Sequence, residues 1–261
     1  MNKTLSDNTG SSILLVDVGN TRLKWMCVSA GRDTPVHSEL HLDCDIPSLL
    51  DQCWVDMDPP VQMVIANVAG EGIKDYINNW VKQHWGLAAN FLSSPAEAFG
   101  VVNGYRQPGQ LGIDRWLTLV AARHNYPEAV CIVDAGTALT IDVIDQQGFH
   151  NGGLILPGQT LMRESLSLRT KIPGITKTDT TPLLADNTST AVLSACLQAS
   201  VALIERVIRI WQQEHDQALR LILTGSDAVA LEQLLETACE IQPDLVMQGL
   251  KLMATLEKDH Q

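Results

Sequence analysis

The chain echoes itself. ILLVDVGNTRLKWMCV, beginning at Ile13, returns as CIVDAGTALTIDVI, beginning at Cys131. Each copy runs from a Val- and Ile-rich segment into Asp, one residue, Gly and a Thr within the next two positions, then into a second strand-like run. Both therefore read as strand, tight turn, strand. Asp17 and Asp134 end the first strands. Gly19 and Gly136 suit a turn that needs positive φ or close backbone approach, and the hydroxyls of Thr21 and Thr137 suit turn amides or a ligand. A single D-x-G between apolar runs is a common turn signal and constrains little. Two copies, 117 residues apart, predict an α/β protein with two lobes of similar topology, each opening with a hairpin whose acidic turn faces a shared cleft.

Between the hairpins, strand-like VQMVIANVAG (61–70) gives way to DYINNWVKQHW (75–85), where Tyr76, Trp80 and His84 recur at helical spacing. Asp114 opens a second helical run in which Leu117, Val120 and Ala121 keep the period until Pro127 stops it. A linker is expected near 123–129, dividing a polar tail (1–12) and an N-terminal lobe (13–124) from a C-terminal lobe (125–261). In the latter, GFHNGGLILPG reads as turn, strand and loop, and IPGITKTDTTPLLADNT as an irregular segment able to cover a site. Asn187 or Thr188 then caps a long helix with Val192, Cys196, Ala199, Leu203, Val207 and Ile210 as its apolar stripe. LRLILTGSDAVALEQLLE closes with strand, glycine turn and helix.

The formal net charge of -12 argues against nucleic acid and anionic membrane surfaces as partners, because both need clustered Lys and Arg. Any anionic ligand must be met by local donors. The polar leader and the short apolar runs place the chain in the cytoplasm, with no membrane span. The six cysteines are scattered without metal-ligand spacing and read as reduced thiols, mostly buried. The seven histidines show no metal spacing and read as non-catalytic, and the six tryptophans read as core or interface anchors.

Phosphoryl transfer asks for donors on the phosphates, carboxylates for Mg²⁺ and a group to take the acceptor hydroxyl's proton. No G-x-x-x-x-G-K-[ST] loop is present. DVGNT, followed by Arg22 and Lys24, offers instead turn amides, a hydroxyl, nearby positive charge and Asp17 for a hydrated magnesium ion. DAGT offers an opposing set. In GYRQPGQLGIDRWL (104–117), Asp114 reads either as a helix N-cap or as a general base, with Arg115 beside it to hold an anionic acceptor. Arg106 reads equally as surface charge or phosphate donor.

DVGNT with Lys24, the G-x-D-R tetrapeptide Gly112 to Arg115, and DAGTALTID followed by GGLILPG together resemble the type III pantothenate kinases. This is also called the Bvg accessory factor family, within the acetate and sugar kinase, Hsp70 and actin superfamily. The resemblance runs from about Leu14 to Thr224. It implies two ribonuclease H-like lobes of the actin-like ATPase superfamily around a central cleft, and ATP-dependent phosphorylation of pantothenate at the entry to coenzyme A synthesis. By that resemblance Asp17, Val18, Gly19, Asn20, Thr21, Arg22, Leu23 and Lys24 form the first ATP phosphate loop, with Asp17 near magnesium, and Thr137 is the second ATP contact. Asp114 matches the catalytic base. Tyr105, Gly112, Ile113, Asp114, Arg115 and Thr188 match the pantothenate pocket, Arg115 suiting its carboxylate. Asp134 matches the ligand of a monovalent cation, K⁺ or NH₄⁺, and a homodimer is implied. The chain departs from the family pattern at Ala195, Cys196 and Ser226. Two other readings are a superfamily kinase acting on another small alcohol or sugar, and a non-catalytic regulatory protein on this fold.

Overall fold

A computed structural model of the protein describes residues 12–29, 32–172, 175, 181–215 and 217–256. The expected tail therefore lies, apart from Ser12, outside the described residues, as do 173–174 and 176–180 of the irregular segment. In chain order the first elements are β1 (Ile13–Val18), β2 (Arg22–Val28), β3 (His37–Leu40), α1 (Ile46–Trp54), β4 (Gln62–Asn67), α2 (Glu71–His84) and β5 (Asn90–Phe91). A short hairpin, β6 (Glu97–Ala98) and β7 (Val101–Val102), precedes α3 (Ile113–Asn125). Then come β8 (Val130–Ala135), β9 (Ala138–Ile144), β10 (His150–Pro157), α4 (Gln159–Arg169), α5 (Thr188–His215), β11 (Arg220–Thr224), α6 (Ala228–Glu232), β12 (Cys239–Ile241) and α7 (Leu245–Leu256).

The echo in the sequence is an echo in topology. One five-stranded sheet runs β3-β2-β1-β4-β5 and the other β10-β9-β8-β11-β12. In each, the first strand of the D-x-G hairpin is central: β1 is antiparallel to β2 and parallel to β4, and β8 is antiparallel to β9 and parallel to β11. Every side chain of β1 is buried, and in β8 only Asp134 is partly exposed. Near-continuous apolar runs such as these suit strands covered on both faces.

Two compact units result. Met1–Ala96, Gln107–Ala121 and Val246–Gln261 make one, and Glu97–Arg106 with Ala122–Leu245 the other. The chain thus crosses between units more often than a single cut at 124/125 describes. The return of the C-terminus has a local cause: α7 packs on α3 where Gly249 lies against the Leu117 backbone, so close that an added Cβ would stand 2.0 Å from Leu117 O. Spacing within either helix could not reveal that contact.

In the first unit the core gathers Leu14, Val16, Val18, Leu23, Met63 and Ile65 from the sheet with Leu50 and Trp54 of α1 and Ile77, Trp80 and Val81 of α2. Asp45 caps α1 by accepting the Ser48 amide at 3.2 Å. The inward face of α2 is Ile77/Trp80/Val81, and Tyr76, placed on the apolar line in the sequence reading, is exposed. The tryptophans act as core anchors: Trp54 meets Trp25, Trp80 and Trp85 with ring centroids 5.7–6.4 Å apart, spacings at which aromatic pairs attract beyond their buried area.

In the second unit α5 covers the sheet with Val201, Ile204, Ile208 and Trp211 against Cys131, Val133, Ile141 and Leu223. The expected stripe is offset from this face. Val192 and Cys196 are buried as read, but Ala199 is exposed and Leu203, Val207 and Ile210 are only half-buried. They form a shoulder facing Leu154 of β10 across a cavity of about 390 Å³. Periodicity gives a face only to within about one residue, since neighbouring apolar rows on a helix this rich in them are equivalent by spacing. Asn187, not Thr188, is the cap: its side chain accepts the Thr190 amide at 3.0 Å. α5 is also 28 residues long and apolar enough to span a bilayer, which corrects the reading that no run approaches that length. Its packed face and the Glu205 carboxylate, which accepts the Glu236 and Thr237 amides at 2.9 Å each, mark a core helix instead. The thiols are all free; only Cys131 and Cys196 are buried and Cys44 is exposed, so fewer are enclosed than expected.

The turn after β11 clamps the second hairpin. Gly225 has φ +90°, and a Cβ there would stand 2.5 Å from Ala135 O and 2.6 Å from Asp134 Oδ1. Asp227 N–H completes the contact by donating to Ala135 O at 2.9 Å. Gly225→Ala combines a disfavoured backbone conformation with overlap against a carbonyl, and should destabilise the protein by roughly 2–5 kcal/mol. Chemical denaturation checks this, and a midpoint equal to the parent's would contradict the clamp.

Candidate active site

The first unit holds two of the predicted groups. β1 and β2 are joined through Gly19 to Arg22, with the Gly19 amide donating to Arg22 O at 3.0 Å. Neither Gly19 nor Gly136 has positive φ, and a Cβ at either would meet its nearest neighbour at 3.4 and 3.7 Å. The expectation of a conformationally obligatory glycine is therefore corrected. Both turns close with the glycine amide bonded inside the hairpin, Gly136 donating to Ala138 O at 3.0 Å, so that donor is not offered to a phosphate. Val18 and Leu23 are buried and reach a ligand only through their backbone. Asp17 is 9% exposed at the end of β1, directly across from Lys24. Opposite charges facing each other across strands attract.

Asp114 is not an N-cap. α3 begins one residue earlier, and Asp114 stands in its first turn, where its Oδ1 accepts the Arg115 amide at 2.8 Å. The carboxylate lies back over Gly112, 2.5 Å from where a Cβ would be. Glycine at 112 is what leaves room for it. The helix N-terminus favours negative charge at this place. Arg115 is buried and its carbonyl accepts from Thr118 Oγ1 at 2.8 Å. Gly112 and Ile113 border a cavity of about 410 Å³ that also touches Asn67, Lys74, Phe91 and Ser94. Ser94 Oγ steadies its rim by donating to Leu111 O at 2.9 Å.

The second unit holds the others. Asp134 is half-buried and Thr137 exposed in the β8–β9 turn, and Thr137 O accepts the Gly158 amide at 2.9 Å just before α4. Beside this turn a cavity of about 210 Å³ is lined by Gln159, Arg163, Leu193, Leu197 and Asp227. Burial pushes the Asp227 carboxyl above its ordinary range, with Arg163 opposing. Gln159 joins α4 to α5 by donating to Ser200 Oγ at 2.9 Å and Cys196 O at 3.3 Å, so the Cys196 position packs closely despite its departure from the family pattern. Thr188 is exposed on the first turn of α5, Tyr105 is half-buried, and Arg106 is exposed. Among the described residues no group of three or more His, Cys, Asp or Glu side chains could enclose a metal. Magnesium bound by one or two carboxylates together with substrate phosphates needs no such cage.

Two histidines carry roles that spacing did not show. His41, buried just after β3, donates from Nε2 to Gly19 O at 2.6 Å, while its amide donates to Thr21 O at 3.0 Å. It buckles the first turn from a point 22 residues away. His150 is the other. Its imidazole is fully buried and donates to Asp142 Oδ1 at 2.8 Å.

A profile described as type III pantothenate kinase matches residues 13–210. A type III pantothenate kinase of Nitrosococcus oceani is 38% identical over 250 residues, covering 93% of each chain. One of Laribacter hongkongensis is 36% identical over 246 residues, covering 94% of this chain and 99% of its own. Among solved structures, a putative Baf family transcriptional activator from Campylobacter jejuni superposes with a TM-score of 0.60 at 23% identity, covering 94% of this chain and 99% of its own. A putative 2-dehydro-3-deoxygalactonokinase from Sinorhizobium meliloti does so with 0.57 at 11% identity, covering 94% and 99%. At these identities the superpositions speak for the α/β fold alone.

His41→Ala removes one side-chain hydrogen bond from the first turn, an interaction of about 0.5–1.5 kcal/mol. Hydrogen exchange at the Gly19 amide, which is bonded to Arg22 O within the turn, should then accelerate about 2- to 10-fold while amides in β8 and β9 keep their protection. Unchanged exchange in the turn would show that the backbone bonds alone hold it.

Proposed function

We propose that the chain, which belongs to the type III pantothenate kinase family, transfers the γ-phosphoryl group of ATP to the primary hydroxyl of pantothenate. The product is 4'-phosphopantothenate, at the entry to coenzyme A synthesis. The observation that carries this reading is the placement of Asp114: a carboxylate set over Gly112 and oriented by the Arg115 amide, directly after Gly112 and Ile113, which border a cavity of about 410 Å³.

Asp114 accepts the proton of the attacking hydroxyl as the O–P bond forms, and Arg115 pairs with the substrate carboxylate by two parallel donors. Buried cationic groups of this kind hold an anion firmly because little water competes. Asn20, Thr21, Arg22 and Lys24 cradle the phosphates of ATP, and the family resemblance assigns Thr137 to ATP as well. Asp17 offers the hard oxygen that suits magnesium; the ion, when bound, offsets charge on the phosphates. Asp134 holds the monovalent cation, K⁺ or NH₄⁺. The family resemblance assigns Tyr105 and Thr188 to pantothenate as well. The enzyme works in the cytoplasm, without nucleic acid or membrane partners, as the chain's net charge of -12 favours.

It works as a homodimer. The second unit exposes Leu154 and Ile155 on the outer strand β10, Leu161 and Leu168 on α4, and Leu183 and Leu184 before α5. Sequence-adjacent exposed pairs such as Leu154–Ile155 and Leu183–Leu184 suit an association surface, and a second copy is the partner always present at equal concentration.

Asp114→Asn should keep ATP binding and thermal stability while lowering turnover by a factor on the order of 10²–10⁴, the contribution of a general base. Steady-state kinetics with calorimetric titration of ATP checks it; parental turnover would remove Asp114 from the chemistry. Ile155→Asp should convert the sedimentation coefficient from dimer to monomer at micromolar concentration without lowering the melting temperature of the monomer fold. A parental protein that already sediments as a monomer would end the dimer reading.

A further inference from the structure

Strands β9 and β10 are antiparallel, with His150 opposite Ile144 and Gly153 opposite Asp142. Three steps along β10 thus match two along β9. The extra residue makes a bulge at Asn151–Gly152, and Gly152 has φ +93°. Bulges re-aim side chains that regular pairing would send elsewhere. Here the imidazole of His150 reaches Asp142, Nε2 donating to Oδ1 at 2.8 Å, with the two side chains 0% and 2% exposed.

The loop carrying Tyr105 lies along this same strand. Val102 N–H donates to Gly148 O at 2.8 Å, and two residues on Gly104 approaches His150 so closely that a Cβ would stand 1.8 Å from His150 O. The Tyr105 amide donates to Asn103 Oδ1 at 3.0 Å. The Tyr105 ring then faces the imidazole, 15° from parallel with centroids 5.8 Å apart, an offset stack of the favoured kind. His150 Nδ1 is buried without a hydrogen-bond partner. A buried pair with an unmet nitrogen is a poor choice for stability alone, since well-packed apolar residues serve at least as well. What an aliphatic pair could not supply is a flat face, fixed in plane by a carboxylate and carried on a strand rather than a loop.

We infer that His150, held by Asp142, is a positioning residue that fixes the ring of Tyr105 and so shapes the site for the acceptor substrate. This rests on the reading of Tyr105 as a pantothenate contact. His150 touches no reacting atom; it acts through Tyr105.

Three variants test it, each measured for pantothenate KM, ATP KM and thermal melting. His150→Gln keeps an amide donor for Asp142 and removes the flat ring. It should raise the pantothenate KM about tenfold, as a misplaced substrate contact does, and leave the ATP KM within about twofold. The double variant Asp142→Ala, His150→Phe restores an aromatic face, removes the buried carboxylate and nearly conserves volume; it should bring the pantothenate KM back to within about threefold of the parent. Tyr105→Ala calibrates the scale. If Tyr105→Ala raises the pantothenate KM and His150→Gln, still folded, does not, the positioning role is overturned while the Tyr105 reading stands. If Tyr105→Ala changes nothing, the Tyr105 reading falls and this inference with it. Should His150→Gln fail to fold, the double variant decides: a recovered KM supports the aromatic face as the working part, and a KM as high as that of Tyr105→Ala rejects it.

Discussion

Each sheet depends on a central strand buried along both faces that ends in an aspartate. β1 and β8 pair on one side with their hairpin partner and on the other with a parallel strand, and their side chains are enclosed almost without exception. A carboxylate cannot lie inside such a strand without a large desolvation cost. It is tolerated at the strand's end, where the chain turns and solvent or a ligand is near. The same packing that makes the strand central therefore fixes Asp17 and Asp134 at equivalent places in two sheets of identical order. The turns that follow inherit that rigidity: the first is buckled by His41 and the second clamped by Gly225 and Asp227.

What was legible in the sequence was local. The hairpins, the start of α3 within a residue and the end of α3 before Pro127 follow from alternation, turn residues and helical spacing. What was not legible depended on groups distant along the chain. His41 reads as an unremarkable polar residue until Gly19 is known to lie beneath it, and His150 until the bulge at Gly152 turns it towards Asp142. The HNGG run was the available clue, because a glycine inside a strand pattern signals a bulge. The glycines of the D-x-G turns misled in the other direction. Gly19 and Gly136 sit in ordinary backbone conformations, and the obligatory one is Gly225, whose partner is the hairpin 90 residues earlier in sequence. The stripe on α5 was read one row off, since spacing cannot rank adjacent apolar rows.

An acidic chain that takes two anionic substrates must concentrate its positive charge. On the proposed reading, Lys24, in register with Asp17, and Arg115, buried at the start of α3, would do this at single residues rather than over a basic surface. Steering by long-range charge is then weak, and recognition rests on short-range donors whose positions the fold sets.

The most direct measurement is ADP formation by the purified protein with ATP, magnesium and K⁺ or NH₄⁺, comparing pantothenate with a panel of small alcohols and sugars, with the phosphorylated product identified by mass spectrometry. The account predicts ADP release that depends on pantothenate and yields 4'-phosphopantothenate in equal amount. ATP binding with no phosphorylated pantothenate under either cation, or faster turnover with another alcohol in the panel, would contradict it.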